Sequence, residues 1–140
     1  MAPRTRLDPV VRLEEHREER SLQALAAANR RLQEAQNLLE QARTQAKEDH
    51  RQAGSAGLWE LVDSAHVHAR HALHDAEKHA NSAQNVQGTS RQAYLSAYAR
   101  AEAIRRVATT RREEKVRQDD RAAEKEIGDL MLMRRHGRVA

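Results

Sequence analysis

The sequence predicts an all-α fold: two long helices form an antiparallel coiled-coil hairpin, and the second, longer helix ends in an unpaired C-terminal overhang. Small or apolar residues recur at alternating steps of three and four over residues 62–107, as in a helix that buries a narrow seam. A second heptad stripe covers residues 25–46, and a glycine-containing break at residues 54–57 separates the two stripes. Charged residues make up 33% of the chain and Phe is absent, which favours long helices over a layered domain.

The first helix is predicted over about residues 8–53 of a single hairpin domain that covers residues 1–140. Asp8 is suited to cap the free amide groups at its start, and Pro9 fits the first helical position, where its missing N–H costs no hydrogen bond. Inside the helix, a row of leucines and a row of alanines each repeat every seven residues, which predicts a seam that a second backbone can approach closely. The seam residues predicted here are Leu25, Ala28, Leu32, Ala35, Leu39 and Ala42.

Residues 54–57 predict the turn, because Gly54 can end the first helix in the left-handed conformation and Ser55 or Gly57 can cap the next helix. So short a connection forces the two helices antiparallel. If the turn centres between Ser55 and Ala56, residue i is expected to face roughly residue 111 minus i. The second helix is predicted over about residues 58–135. Its predicted seam residues are Ala69, Ala72, Ala76, His79, Ala83 and Val86.

The end of the second helix is predicted to have no internal partner. In the expected register the first helix ends its pairing near residue 104, and residues 109–126 are charged on all sides. An apolar cluster then precedes Arg134 and Arg135. Its members are Ile127, Leu130, Met131, Leu132 and Met133. An apolar cluster on an unpaired helix end indicates a protein-binding surface.

The residue types indicate no enzyme, no cofactor and no metal site. Cysteine, a glycine-rich phosphate loop and a recognisable catalytic triad are all absent from the sequence. Five histidines lie within residues 66–79, but a two-helix hairpin gives a metal little cover, so a solvated face is expected there. No apolar run approaches membrane-spanning length, and we expect a cytoplasmic protein.

The charge balance leaves one alternative function open. The net charge is +4, and residues 100–140 hold 12 basic and 8 acidic residues, so the excess lies in this tail. A basic coiled-coil adaptor that binds nucleic acid or serves a structural role is therefore the rival interpretation. The interleaved acidic residues favour a solvated helix instead, and nucleic acid is not the partner we expect.

Two stretches carry a family resemblance: RLDPVVRLEE at residues 6–15, and RREE at 111–114 followed by EKEIGDL at 124–130. With the heptad helix and the short break between them, they make the chain similar to the flagellar export protein FliJ family. That family is related to the stalk proteins of virulence type III secretion, called SctO or YscO, and the sequence leaves flagellar and virulence secretion both open. The resemblance implies a non-catalytic stalk with three partners: the hexameric export ATPase, the export gate membrane protein and export chaperones. It also implies peripheral association with the inner membrane at the export apparatus.

The resemblance implies two contact regions. The open end of the hairpin enters the ATPase ring, and the turn side faces the gate. The expected ATPase contacts are Leu7, Val11, Ile127, Leu130, Met131, Arg134 and Arg135. The expected gate contacts are Leu58, Trp59, Leu61, His66 and Leu73.

Overall fold

A computed structural model describes residues 4–48 and 56–139 of the chain, and these ranges contain two helices and no strand. Helix α1 covers Asp8–Lys47 and helix α2 covers Ala56–Val139. The fold is all-α, and the two helices pack as an antiparallel hairpin, as predicted. Gly54 and Ser55 of the predicted turn lie outside the described residues, whereas Ala56 and Gly57 belong to α2. Helix α2 therefore starts two residues before its predicted start and continues past residue 135 to Val139.

The start of α1 is fixed by a turn around Asp8. The Asp8 carboxylate accepts a hydrogen bond from the backbone N–H of Thr5 at 3.0 Å and another from the Thr5 hydroxyl at 3.1 Å. The Asp8 N–H in turn donates to the Thr5 carbonyl at 3.2 Å. The sequence predicted that Asp8 would cap amide groups of the first helical turn, but its carboxylate binds Thr5, three residues before it, instead.

The helices divide into two compact units. One unit comprises Met1–Glu18 and Ala97–Ala140, and the other comprises Glu19–Ser96. Each unit contains one stretch of α1 running antiparallel to one stretch of α2. In the first unit, Ala101 and Ala108 are the most deeply buried residues, 1% and 2% exposed. Alanines at these positions let the two helix backbones approach closely, so little side-chain volume separates them.

Burial along α1 in the second unit follows the two heptad rows of the sequence. Ala28 and Ala42 are buried, and Leu25, Leu32, Ala35 and Leu39 are half-buried. In α2, the row of Ala69, Ala76 and Ala83 is half-buried as well. These alanines and leucines therefore line the interface between the two helices of this unit.

The other row predicted for α2 is placed one residue further along the helix. Ala72, His79 and Val86 are exposed, whereas their neighbours Leu73, Ala80 and Gln87 are half-buried or buried and form the more deeply covered row. Ala72 and His79 still line an open groove together with Ala35 and Ala42 of α1. Two heptad stripes share the row of Ala69, Ala76 and Ala83: one alternates steps of three and four residues, and the other alternates steps of four and three. Both stripes include further alanines, such as Ala72 in the first and Ala80 in the second. The observed phase covers Leu73 and, further along, Tyr94. It thereby removes more apolar surface from water than a phase that covers Ala72 and Ala93 would.

The register predicted from the turn is also wrong in the first unit. It placed residue 6 opposite Arg105, whereas the Arg105 guanidinium binds Glu15 at 3.3 Å and also contacts Glu18. The prediction assumed a tight turn with the two helices starting level on either side of it. Because Arg105 binds Glu15 and Arg112 binds Asp8, α2 is displaced along α1 by about nine residues in the first unit, or more than two helical turns. In the second unit, Lys47 lines a groove together with Asp63 and Arg70, close to the position 64 that the prediction placed opposite it.

Candidate partner-binding surfaces

Three carboxylates surround Arg105 where α1 and α2 pack together in the first unit. The guanidinium donates hydrogen bonds to Glu102 on its own helix at 3.1 Å and to Glu15 on α1 at 3.3 Å, and it also contacts Glu18. Partial burial acts to lower the pKa of Arg105, but the Glu18 charge and the hydrogen bonds to the three glutamates outweigh it and raise that pKa. Arg105 therefore remains a cation and ties the two helices together in one register.

A second ion pair marks the place where α1 begins. The Arg112 guanidinium donates to the Asp8 carboxylate at 2.5 Å. The hydrogen bond from Arg112, followed by the one from the Thr5 N–H, lowers the pKa of Asp8 below its ordinary value of 3.8. Arg112 is half-buried, and every residue from 113 to 138 is exposed. The pairing of α2 with α1 therefore ends at Arg112.

The part of α2 beyond this ion pair, residues 113–139, is called the overhang here. At 1.5 Å per residue it is about 40 Å long. It holds large apolar side chains that no described residue covers. They are Val116 (43% exposed), Ile127 (55%), Leu130 (63%), Met131 (65%), Leu132 (53%) and Met133 (71%). The predicted apolar overhang is thus present, and it begins at residue 113 and not near residue 105 because of the displaced register.

The residues predicted to contact the ATPase fall into two separate groups. Leu7 and Val11 are half-buried at the start of α1, where Val11 lines a groove together with Arg105 and Ala108. The second group lies exposed on the overhang, and its members are Ile127, Leu130, Met131, Arg134 and Arg135. Ile127 lies 15 residues beyond Arg112, or about 22 Å along the helix, so the structure does not bring the two groups together.

The residues predicted to contact the export gate also divide. Trp59 and Leu61 are 55% and 67% exposed, whereas His66 and Leu73 are half-buried in the second unit. The side chain of Leu58 lies outside the described residues. Val67 is 53% exposed and was missed by the sequence analysis. The heptad phase could have identified it, because in the observed phase His66 faces the seam and Val67 faces outward.

The remaining chemistry of the described residues is sparse. His68, His71, His74 and His79 are exposed, and the described part of the chain contains no group of three or more His, Cys, Asp or Glu side chains that could hold a metal ion. Neither described helix combines the length and the apolar character that crossing a membrane requires.

Comparison with known proteins gives one match. A family model described as "Flagellar FliJ protein" matches residues 3–139, which is nearly the whole chain. No curated protein and no solved structure matches the chain.

Proposed function

Because the chain belongs to the FliJ family and is a flagellar export component, we propose that it is a non-catalytic stalk whose overhang binds the hexameric export ATPase. One observation carries the proposal. The overhang ends in an apolar cluster, and within the described residues nothing covers it. The same proposal assigns the export gate protein and export chaperones as further partners and places the stalk in the cytoplasm, peripherally at the inner membrane.

The energetics of the overhang favour a protein partner. Burying a side chain such as Ile127, Leu130 or Met131 is worth about 1.5–3 kcal/mol relative to leaving it in water. The hairpin itself gains none of this stabilisation, because these side chains are more than half exposed. A partner with an apolar pocket would gain it on binding. Arg134 and Arg135 follow within the next turn and can form charge-assisted hydrogen bonds to carboxylates or carbonyls at the rim of that pocket.

The two groups of predicted ATPase contacts then have different roles. Leu7 and Val11 are half-buried at the start of α1, and Val11 lines a groove with Arg105 of α2, so in this proposal they support the base from which the overhang projects. The exposed group on the overhang makes the direct contact. A helix of about 40 Å is long enough to enter a ring while its base stays outside.

The opposite end of the hairpin is proposed to contact the export gate. Trp59 and Leu61 present exposed apolar surface there, and a Trp side chain is a common anchor in protein interfaces. His66 and Leu73 are half-buried, so in this proposal they mainly hold the start of α2 in place for that contact. Leu58 belongs to the same proposed surface.

The decisive experiment measures ATP hydrolysis by the purified cognate export ATPase with and without variants of the full chain. Deleting residues 127–140, or combining Ile127→Asp with Met131→Asp, is expected to abolish stimulation. Both variants should keep the parent's helical melting transition, because residues 127–138 are all exposed. Leu95→Asp is the matched control, since Leu95 is 53% exposed and lies outside the overhang.

Full stimulation by the truncated chain would place the ATPase contact elsewhere. Loss of the melting transition on truncation would show that the overhang is a structural element. Equal loss of stimulation in Leu95→Asp would show that the assay responds to any exposed charge and not to this surface.

No observation favours the nucleic-acid alternative. The overhang contains seven basic and seven acidic residues, so it carries no net charge. Stable binding to a short duplex at physiological salt, released steeply as salt rises, would reverse this conclusion.

A further inference from the structure

Two pairs of charged residues on the overhang lie symmetrically about Ile127 and are opposite in sign. Asp120 and Asp119 lie seven and eight residues before it, and Arg134 and Arg135 lie seven and eight residues after it. All four are exposed, and none of them makes an ion pair with any described residue. Residues 113–126 hold six acidic and four basic residues, whereas residues 128–139 hold one acidic and three basic residues. The net charge of the overhang is therefore −2 before Ile127 and +2 after it.

Helical geometry places these charges on the same face as the apolar residues. At about 100° per residue, Asp120 and Arg134 lie within about 20° of Ile127 around the helix. Ala123 and Met131 lie within about 40° of it by the same count. One face of the overhang thus carries an acidic segment, an apolar centre and a basic segment in that order.

From this arrangement we infer that the overhang also binds a second copy of the chain, antiparallel, with the two-fold axis at Ile127. Ile127 then packs on its own symmetry mate, and Ala123 of one copy packs beside Leu130 and Met131 of the other. Asp119 and Asp120 meet the two arginines of the second copy, and the symmetry repeats this contact, as in any isologous interface. A parallel pairing would set like charges side by side, which is destabilising.

The predicted dimer is weak and reversible. The overlap covers residues 116–138, about 33 Å of helix, and a contact of two single helices lies at the low end of the size range for specific interfaces. Exposed ion pairs contribute only about 0–1 kcal/mol each. Their main effect is to select the antiparallel orientation and the register, while the apolar centre supplies the affinity.

The dimer would regulate the ATPase contact, and this part of the inference rests on the proposed function. The two-fold contact covers Ile127, Leu130 and Met131, which are the side chains proposed to bind the ATPase. One chain cannot make both contacts at once. Self-association would therefore keep Ile127, Leu130 and Met131 covered until the ATPase displaces the second copy by mass action.

Charge reversal and mixing test the dimer in the full-length chain by sedimentation equilibrium. One variant combines Asp119→Arg with Asp120→Arg, and the other combines Arg134→Glu with Arg135→Glu. Each variant alone places like charges together at both ends of the contact and is expected to dimerise at least about tenfold more weakly than the parent. Mixed one to one, the two variants are complementary at both ends, so a heterodimer should form with roughly the parent's affinity.

Three outcomes would overturn the inference: a parent chain that stays monomeric at millimolar concentration, variants that dimerise as the parent does, or a mixture in which no heterodimer forms. Far-ultraviolet circular dichroism would confirm that both variants keep the hairpin. General loss of folding cannot imitate the rescue on mixing, because it would affect the mixture as much as the separate variants.

A cysteine cross-link tests the position of the two-fold axis. The chain has no Cys, so one introduced thiol can react only with its counterpart in another copy. Gly128→Cys lies next to the axis along the helix but about 100° from Ile127 around it, so its two copies are too far apart for a direct disulfide. A thiol-specific cross-linker that spans about 10 Å and contains a cleavable disulfide should join them. Gly137→Cys is the control, because its two copies would lie about 30 Å apart along the helices. A side chain added at either glycine meets no other atom within 4 Å, so both substitutions fit the fold. Equal cross-linking at both positions would overturn the register.

The same cross-link separates this inference from the proposed function. The cross-linked Gly128→Cys dimer should fail to stimulate the export ATPase, and reductive cleavage of the cross-linker should restore stimulation. If truncation abolishes stimulation but the parent never dimerises, the dimer is refuted and the ATPase contact is not. If the truncated chain stimulates fully but the two charge-reversal variants form a heterodimer on mixing, the ATPase contact is refuted and the dimer is not.

Discussion

Replacing Ala101 by Leu tests the packing on which the whole first unit depends. Ala101 is 1% exposed, so its methyl group is already enclosed. Leucine adds three carbon atoms where the neighbouring helix leaves no space. Overpacking of this kind costs about 1–3 kcal/mol in the free energy of unfolding. The helix itself tolerates the change, because Leu and Ala have similar helix propensities.

The matched control is Ala103→Leu, two residues further along the same helix on an exposed position. Its effect should stay within about 0.5 kcal/mol, as for an ordinary surface substitution. Urea unfolding of parent and variants, followed by circular dichroism, measures both differences. Equal stability of the two variants would show that Ala101 does not face α1. A larger loss in Ala103→Leu would show that the seam follows a different face of α2.

Three further predictions concern the same interface. The lowered pKa of Asp8 means that its contribution to stability is complete above pH 3.8 and is lost as the pH falls through the still lower folded pKa. Asp8→Asn should therefore be less stable than the parent near neutral pH and equally stable in strong acid; a difference that persists in acid would contradict this origin. Arg105→Met should lower the melting temperature more than Arg106→Met, because Arg106 is 79% exposed and, among the described residues, forms an ion pair only with Glu102. High salt should reduce the difference between the two melting temperatures. Leu73→Ala should lower the free energy of unfolding by more than Leu61→Ala does. Leu61 is 67% exposed, so its loss should cost at most about 0.5 kcal/mol. A larger effect of Leu61→Ala would favour the seam that includes Ala72.

The fold class could be predicted from the sequence because heptad spacing and composition act locally. A stripe sustained from residue 62 to 107 leaves few alternatives to a long helix, and the leucine and alanine rows of α1 coincide with the residues that are buried or half-buried. Asp8 and Pro9 marked the start of α1, which begins at Asp8. Such signals depend only on residues within one or two turns of each other.

The phase of the seam in α2 could not be predicted with the same ease. Ala72 and Ala80 belong to different stripes, yet both are small and each lies four residues from Ala76, a spacing that either stripe allows. A small residue carries little information about which side of it is covered. The larger side chains Leu73 and Tyr94 would have been better guides, because the phase that covers them buries more apolar surface.

The ion pairs between α1 and α2 could not be predicted from the sequence, for a different reason. Opposite charges within one helix, such as Glu14 and Arg17, follow from spacing alone, and that pair is present at 2.9 Å. The partner of Arg105 or Arg112 depends on the register between two helices, and the register predicted from the turn was wrong for these two residues. Many carboxylates on α1 could have satisfied either arginine in another register, so the sequence offered no unique choice.

The register has a consequence for function, because it decides how much of α2 is covered. Glu15 and Glu18 hold Arg105, Asp8 holds Arg112, and α1 begins at Asp8, so the cover of α2 ends there. Had α1 been displaced along α2 by two more heptads, its first turns would have reached the apolar cluster around Ile127 and buried it within the hairpin. The ion pairs therefore act together with the alanine packing at Ala101 and Ala108 to keep that cluster outside the intramolecular interface. In this way a few charges at the base of the overhang determine which surface the chain offers to another protein.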